Sequence, residues 1–460
     1  MKAKMLKYFF LPLILIQNIS YAQEFQIIPV QANDLVYASD NDRVYFIGSY
    51  QSGSSHSNNL CILNPNTGEV EECHEIGNNP YTMAISSDEQ FIYIGLRDLP
   101  RIVRFNRVTE TIDQDFSLGG SIGTWNFYAE DINVFPNNPN AIAVAERIYG
   151  LSSPHTGVSI YENGIKRPNY TSDNWESRSI TFAGDDKTLC GFYKNTSNKG
   201  FNLMTVDQNG VEVDTFYSDL LTKTTDKIEY HDGVIYTRYG SAIDMTTNPP
   251  ELKGVYDIGS IGSFGLGQID QGAVEPAKNS DRVFFANQTN DISDGYWLQI
   301  FQKSTFQLLE KIEIPIGNVG SGPRSFRKMI GLGQDGDLAI LAKKSVALPN
   351  GTSLGFRIIL VRNIPVSINE HNNIQSKISI SIFPNPTSDK FTIQSPILKD
   401  EIVSLKLFDN MGRIVKKIEQ KKLRESSIQV DLNLHPTGIY FIQIMNKEYQ
   451  VLGFEKIIKH

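Results

Sequence analysis

The feature that most constrains this chain is a unit of short apolar runs that recurs along most of its length. Asp34-Leu-Val-Tyr37 opens one unit, which continues through Arg43-Val-Tyr-Phe-Ile47, Asn59-Leu-Cys-Ile-Leu63 and Glu69-Val-Glu-Glu-Cys73. Tyr81-Thr-Met-Ala-Ile85 opens the next, followed by Phe91-Ile-Tyr-Ile94, Arg101-Ile-Val-Arg-Phe105 and Ile112-Asp-Gln-Asp-Phe116. Further units open near Phe127, Arg178, Lys227, Gly272 and Phe326, so successive starts lie 45 to 54 residues apart. The runs are rich in β-branched and aromatic residues and are bounded by Asn, Asp, Gly and Pro, which marks strands. Helical periodicity is nearly absent.

Four strands per unit, repeated at a little over forty residues, is the arithmetic of a β-propeller blade. Seven starts predict an all-β, seven-bladed β-propeller over residues 23–365. The seventh unit offers only three strands: Arg327-Lys-Met-Ile330, Leu338-Ala-Ile-Leu-Ala342 and Phe356-Arg-Ile-Ile-Leu-Val361. An orphan strand, Phe25-Gln-Ile-Ile-Pro-Val30, stands before the first unit. Pairing it with the seventh closes the ring and removes two exposed sheet edges.

Both ends of the chain speak of destination. Lys2, Lys4 and Lys7 precede the apolar run Tyr8–Ile16, and Ser20-Tyr-Ala22 follows it, the order a signal peptidase reads. Residues 1–22 are therefore expected to be a signal peptide. The apolar run is about half the length needed to span a bilayer, and no later segment is apolar enough, so no transmembrane segment is expected in the mature protein.

At the other end come Ile382-Phe-Pro-Asn-Pro-Thr387, Lys390-Phe-Thr-Ile393, Val403–Val415, Leu432–Ile442 and Glu455-Lys-Ile-Ile-Lys459. Apolar and polar residues alternate through Phe391–Ile393 and Val403–Leu407, and Asn410-Met-Gly412 and Pro436-Thr-Gly438 supply turns. That pattern predicts a small C-terminal β-sandwich over residues 378–460, after a polar linker at 366–377. In order, spacing and position these blocks resemble the type A sorting domain of the type IX secretion system, through Pro384, Asn385, Pro386, Gly412, Gly438, Tyr440, Lys456 and Lys459. The resemblance implies an address read by the type IX secretion machinery of a Bacteroidetes-type bacterium. It also implies passage through the periplasm to the cell surface or medium, and removal of the tag, for which the stretch Asn369–Lys377 is the expected cleavage region. A fainter second resemblance is to the YVTN-type repeat of bacterial seven-bladed propellers, through Gly77–Asp88 and Phe91–Gly95, with Tyr93-Ile-Gly-Leu96 in place of the tetrapeptide. Such propellers include binding proteins and enzymes, so the fold leaves function open.

Charge narrows the partners. The formal net charge is −8, yet the two ends are basic, so the acid excess is concentrated in residues 23–375. Such a domain repels phosphate backbones, and no nucleic-acid partner is expected. Cys61 and Cys73 flank a turn centred near Thr67, where a hairpin sets them opposite one another, and a disulfide is expected. Cys190 lies in a strand and reads as packed core.

Catalytic signals are weak. Gly119-Gly-Ser-Ile-Gly123 spells a nucleophile elbow and Gly331-Leu-Gly-Gln-Asp-Gly336 a dinucleotide fingerprint, but neither opens a helix as that chemistry requires. The seven histidines, His56, His74, His155, His231, His371, His435 and His460, show no metal-ligand spacing, so no metal site is assigned, although a propeller can build one from different blades. Acidic turns such as Asp40-Asn-Asp42, Asp185-Asp186 and Asp335-Gly-Asp337 lack the full calcium-loop pattern and read as solvated turns. No cofactor is identified.

Loop lengths suggest a binding face. The turns joining first to second and third to fourth strands are short, while Ser49–Asn58, Glu146–Gly157, Asn287–Tyr296 and Lys343–Gly355 are long and open on the opposite face. That face should carry Tyr81, Arg97, Trp125, Tyr149, Trp175 and Arg324, with Trp297 at a loop edge; aromatics and Arg on a rigid scaffold are common recognition groups. The expectation is an exported propeller that binds an extracellular ligand. The alternative is a lactonase-like or quinoprotein-like enzyme with a metal or cofactor held by several blades near the central channel.

Overall fold

The computed structural model describes residues 24–460 apart from 51–54, 123–124, 149–154, 173–176, 195–198, 219, 221–226, 260–271, 289–295, 316–325, 334–335, 349–350, 363–380, 396–397, 400–401, 410–413, 423–425 and 446–450. The expected signal peptide and linker lie outside these residues. No helix among the described residues is long and apolar enough to cross a membrane. The chain divides into two compact units, Met1–Ser367 and Ile368–His460.

The first unit is a seven-bladed β-propeller. Blade 2 is the simplest, an antiparallel meander of Pro80–Ile85, Phe91–Leu96, Arg101–Asn106 and Thr111–Ser117. Blade 3 runs Trp125–Val134, Ala141–Ile148, His155–Glu162 and Ile165–Tyr170; blade 4 runs Ile180–Phe182, Thr188–Lys194, Lys199–Asp207 and Gly210–Tyr217. Blade 5 comprises Ile228–His231, Val234–Thr237, Ser241–Asp244 and Glu251–Val255. Blade 6 comprises Gly272–Pro276, Arg282–Gln288, Tyr296–Gln302 and Leu308–Glu313. First strands of neighbouring blades touch all the way round, from blade 1 through blade 7 and back to blade 1, and so enclose a central channel.

One strand closes the ring. Glu24–Ala38 pairs through Glu24–Ile28 with Gly351–Arg362, as the outer strand of blade 7. It then shifts register and pairs through Ala32–Ala38 with Arg43–Gly48, as the inner strand of blade 1. Blade 7 begins with Phe326–Gly331 and Leu338–Leu348, and blade 1 ends with Asn59–Leu63 and Val70–Glu75. The segment Lys343–Gly355, read from sequence as a loop, is instead a continuation of the ladder, with Lys343 opposite Phe356 and Leu348 opposite Gly351. Val346 and Thr352 are β-branched, and the backbone pairing prolongs the hairpin rather than ending it.

The second and third strands of the blades are buried on both faces, which is why they read as continuous apolar runs, whereas the outer strands are largely exposed. Along Ala141–Ile148 the alternate residues Ala141, Ala143 and Ala145 face blade 4, whereas Ile142 and Val144 face blade 2. The same arrangement repeats at every blade interface, giving seven separate apolar layers. Each fully buried Val, Leu, Ile or Phe contributes about 1.5–3 kcal/mol. Cys61 and Cys73 stand directly opposite in blade 1 and are bonded, with Cα atoms 4.0 Å apart. Cys190 is a buried free thiol, its pKa pushed up by burial.

The second unit is a small sandwich. One sheet contains Ser381–Phe383, Lys390–Gln394 and Ser427–Asp431; the other contains Ile414–Lys422, Ile402–Asp409, Gly438–Met445 and Val451–Lys459. Phe391, Ile393, Ile428 and Val430 from the first meet Leu405, Leu407, Tyr440, Ile442 and Ile457 from the second in a single core.

Candidate functional site

The candidate site is the channel, and its rim is shaped by a repeated irregularity. The inner strands of blades 7, 1, 2 and 3 each contain a β-bulge, at Arg327, Asn33, Tyr81 and Glu130 respectively. No register shift breaks the first pairings of blades 4, 5 and 6. A bulge adds a residue and re-aims its side chain, and bulges gather beside functional sites. Four consecutive blades thus turn one extra side chain each out of the ladder.

Three of those residues join a cation–aromatic cluster. The Arg97 guanidinium lies 4.9 Å from the Tyr81 ring centre and 5.5 Å from that of Tyr128. Tyr81 and Tyr128 meet edge to face at 5.5 Å. Arg327 covers Tyr81 at 4.4 Å and donates to the Tyr81 carbonyl at 3.0 Å. The Tyr128 hydroxyl donates to Glu130 at 2.8 Å, and Arg147 pairs with the same carboxylate at 3.1 Å. Burial, with the Glu130 charge beside it, raises the Tyr128 pKa and keeps the phenol neutral. The fourth bulge residue, Asn33, donates its amide to the Pro80 carbonyl at 2.7 Å.

The residues after the bulges stitch neighbouring blades. Asp34 of blade 1 accepts from the Met83 amide of blade 2 at 2.8 Å and pairs with Lys328 of blade 7 at 2.9 Å. Asp131 of blade 3 accepts from the Ile180 amide of blade 4 at 3.0 Å, and Lys227 of blade 5 reaches it at 3.5 Å. Burial pushes the Asp34 carboxyl up, but Lys328, Arg327 and Lys227 outweigh that and hold its pKa below the usual range.

Blades 5 and 6 contribute the opposite behaviour. Glu229 lies two residues beyond Lys227, and Glu275 accepts from the Gly331 amide of blade 7 at 3.0 Å. Burial pushes Glu229 up to about 7 and Glu275 up to about 8, the latter helped by the Glu229 charge; Lys328 opposes both shifts. Both side chains keep part of their surface open. At pH 7 Glu275 is therefore largely protonated and Glu229 about half so, while Asp34 is ionised beside the lysines.

Of the residues singled out from sequence, the structure brings Tyr81 and Arg97 together at this rim. Trp297 is elsewhere, in the third strand of blade 6, half-buried with Lys311 over its ring at 4.2 Å. Trp125 begins the inner strand of blade 3, but its side chain is outside the described residues, as are Tyr149, Trp175 and Arg324. Sequence reading missed Tyr128, Glu130, Arg147, Lys227, Glu229, Glu275, Arg327 and the Asp34–Lys328 pair. For Asp34, Glu130, Glu229, Glu275, Arg327 and Lys328 the signal was available as charged residues within the first strand of a unit.

The C-terminal unit shows which quoted residues serve the fold. Asn385 bonds the last strand like a backbone group, donating to the Lys456 carbonyl at 2.7 Å and accepting from the Ile458 amide at 2.9 Å. Lys459 is buried, donating to the Leu432 and His435 carbonyls at 2.8 and 2.7 Å, with Asp389 at 3.3 Å. The Tyr440 hydroxyl donates to the Pro436 carbonyl at 2.6 Å. Pro384 and Pro386 follow cis peptide bonds beside Asn385, and Gly438 opens the third strand of its sheet. Lys456 is exposed, and Gly412 lies outside the described residues.

Comparison with known proteins agrees with this division. No curated protein matches the chain. Among solved structures, the β-propeller domain of Cps50 (Swd1) from Myceliophteria thermophila is similar in fold, with a TM-score of 0.50 at 9% identity; the match covers 74% of this chain and 99% of that one. Residues 381–460 match the family described as the secretion system C-terminal sorting domain. The chain is a seven-bladed β-propeller carrying a type IX sorting domain, and that domain directs it to the cell surface or the extracellular space.

Proposed function

We propose that the propeller is the cargo and that it binds an extracellular ligand at the bulged rim of its channel. The observation that carries this reading is the cluster of Arg327, Tyr81, Arg97 and Tyr128 across blades 7, 2 and 3. Stacked guanidinium and phenol groups suit a ligand with an apolar or planar face next to an anionic group. The guanidinium groups of Arg97 and Arg327 on this cluster stand out in a domain that is acidic overall. Charge of that sign at a channel mouth concentrates anions there. Cleavage of the signal peptide after Ala22, a Bacteroidetes-type host and descent from YVTN-type propellers fit the same picture and belong to it as proposals.

The test is a binding screen of the mature protein against acidic and neutral oligosaccharides and peptides. Tyr81→Ala and Arg327→Ala should each weaken the best binder by about tenfold or more, as hot-spot truncations do. Trp297→Ala should leave binding unchanged. Equal binding by wild type, Tyr81→Ala and Arg327→Ala removes the rim from the account. A second reading, an enzyme, is supported by Glu229 and Glu275, whose protonation near neutrality suits acid–base work. Loss of turnover in Glu275→Gln, on any ester or lactone that the wild type hydrolyses, would favour it.

A further inference from the structure

A separate constellation lies at the outer edge of the ring, between blades 1 and 2. Glu72 and His74 are two residues apart on the outer strand of blade 1, so both side chains emerge on the same face. Glu110 belongs to the turn that precedes the outer strand of blade 2 and sits at φ 55°. The metal-ligating atoms of the three residues all lie within 4.8 Å of one another. They come from two blades, with Glu110 far from Glu72 and His74 in sequence, so no motif announces all three.

The histidine is the informative member. Its ring packs on Phe105 of blade 2 at 5.0 Å. Its Nε2 is shut off from solvent and has no hydrogen-bond partner among the described residues. Glu72 Oε1 stands 3.8 Å away, beyond hydrogen bonding. A buried nitrogen without a partner is costly, and two carboxylates converging on it add mutual repulsion. A cation between the three atoms would relieve both. Ligand atoms around a zinc ion, each bonded at about 2.0–2.2 Å, are closer together than 4.8 Å, and the exposed Glu72 and Glu110 have the freedom to close that gap. Cys73, lying between Glu72 and His74 and bonded to Cys61, pins the strand that presents them.

We propose that Glu72, His74 and Glu110 bind one divalent transition-metal ion of the zinc type, with water completing the coordination. One imidazole nitrogen and two carboxylates suit zinc; calcium prefers six to eight oxygen ligands. The ion would clamp blade 1 to blade 2, one interface away from the seam where the ring closes. The experiment uses the full mature protein, free of any affinity tag and stripped with chelator, titrated with zinc chloride against a chromophoric competitor. Wild type should take up one equivalent and gain thermal stability from it. His74→Phe keeps an aromatic ring on Phe105 and removes the nitrogen; Glu110→Gln removes a charged ligand at an exposed position. Each should weaken binding by about tenfold or more and abolish the stabilisation by zinc. Absence of stoichiometric uptake by folded wild type overturns the proposal, and so does undiminished binding by both variants. Either result leaves a histidine that merely pairs with Glu72 when protonated.

Discussion

The two units of this protein place their apolar and polar groups in opposite ways. The C-terminal sandwich has one dry core, where Leu405, Ile442 and Ile457 from one sheet meet Phe391 and Val430 from the other. Its rare buried cation, Lys459, is tied down by two carbonyls and Asp389. The propeller has seven thin apolar layers between blades, while at its inner strands Asp34, Asp131, Lys227, Glu229, Glu275 and Lys328 act on one another across blades. In the sandwich the centre is the fold. In the propeller the fold is distributed around the centre, which leaves polar and charged groups at the inner strands.

The largest expected effect tests the division of labour itself. Removing residues 368–460 should abolish delivery to the surface or medium and leave a folded propeller in the periplasm, measured by fractionation and protease resistance. Normal surface levels of the truncated protein would show that the address lies in the propeller.

The next sets one core against seven. Leu405→Ala and Leu341→Ala each remove a buried leucine, at a cost of about 2–5 kcal/mol. In the sandwich that loss falls on the sole core and should unfold the unit and stop export. In the propeller it falls on one layer of seven and should lower the unfolding midpoint while export continues. Equal export of the two variants would mean that the sorting unit does not act through its folded form.

Third, replacing Cys61 and Cys73 by serine should cost about 3 kcal/mol, as expected for so short a loop. Chemical denaturation of the oxidised protein and the double variant measures it; identical midpoints would show that the blade does not depend on the bond.

The smallest effect concerns the channel. Glu229 and Glu275 titrate at about 7 and about 8 in the fold, and at ordinary carboxylate values when unfolded. The folded state thus holds extra protons between pH 4.5 and 8, so these groups stabilise it fully at low pH and lose that contribution as pH rises through 7 and 8. Glu275→Gln keeps an oxygen for the Gly331 amide and should flatten this dependence. The change should be about 1 kcal/mol at pH 8.5, modest because channel water still reaches the carboxyls. An unchanged pH profile would mean that Glu275 is fully hydrated and the channel open.

Much of the architecture was legible before any coordinates. Tyr81–Ile85 and Phe91–Ile94 announce strands because both faces are apolar and turns bound them, and the orphan Phe25–Val30 lies where the last blade lacks a strand. The channel was less legible for the same reason. A strand buried on both faces has no alternation to break, so Asp34 and Lys328 did not identify themselves as lining residues. The bulges at Tyr81, Glu130 and Arg327 are matters of register, set by pairing across the ladder and not by residue type. Lys343–Gly355 was misread because its Lys, Ser and Gly look like a loop until the opposite strand is known to continue.

The strand Glu24–Ala38 has a consequence for how the molecule is made. It is the first piece of the ring to be synthesised, and the strand that receives it, Gly351–Arg362, follows roughly three hundred residues later. Until then the nascent domain is an arc with a bare edge at each end, the kind of template that recruits stray strands. Joining the two is the most non-local strand pairing among the described residues, and such pairings are slow. Snapping this latch turns a string of blades into a closed hoop, and an unlatched chain would offer its edges to any neighbour waiting for the same export channel.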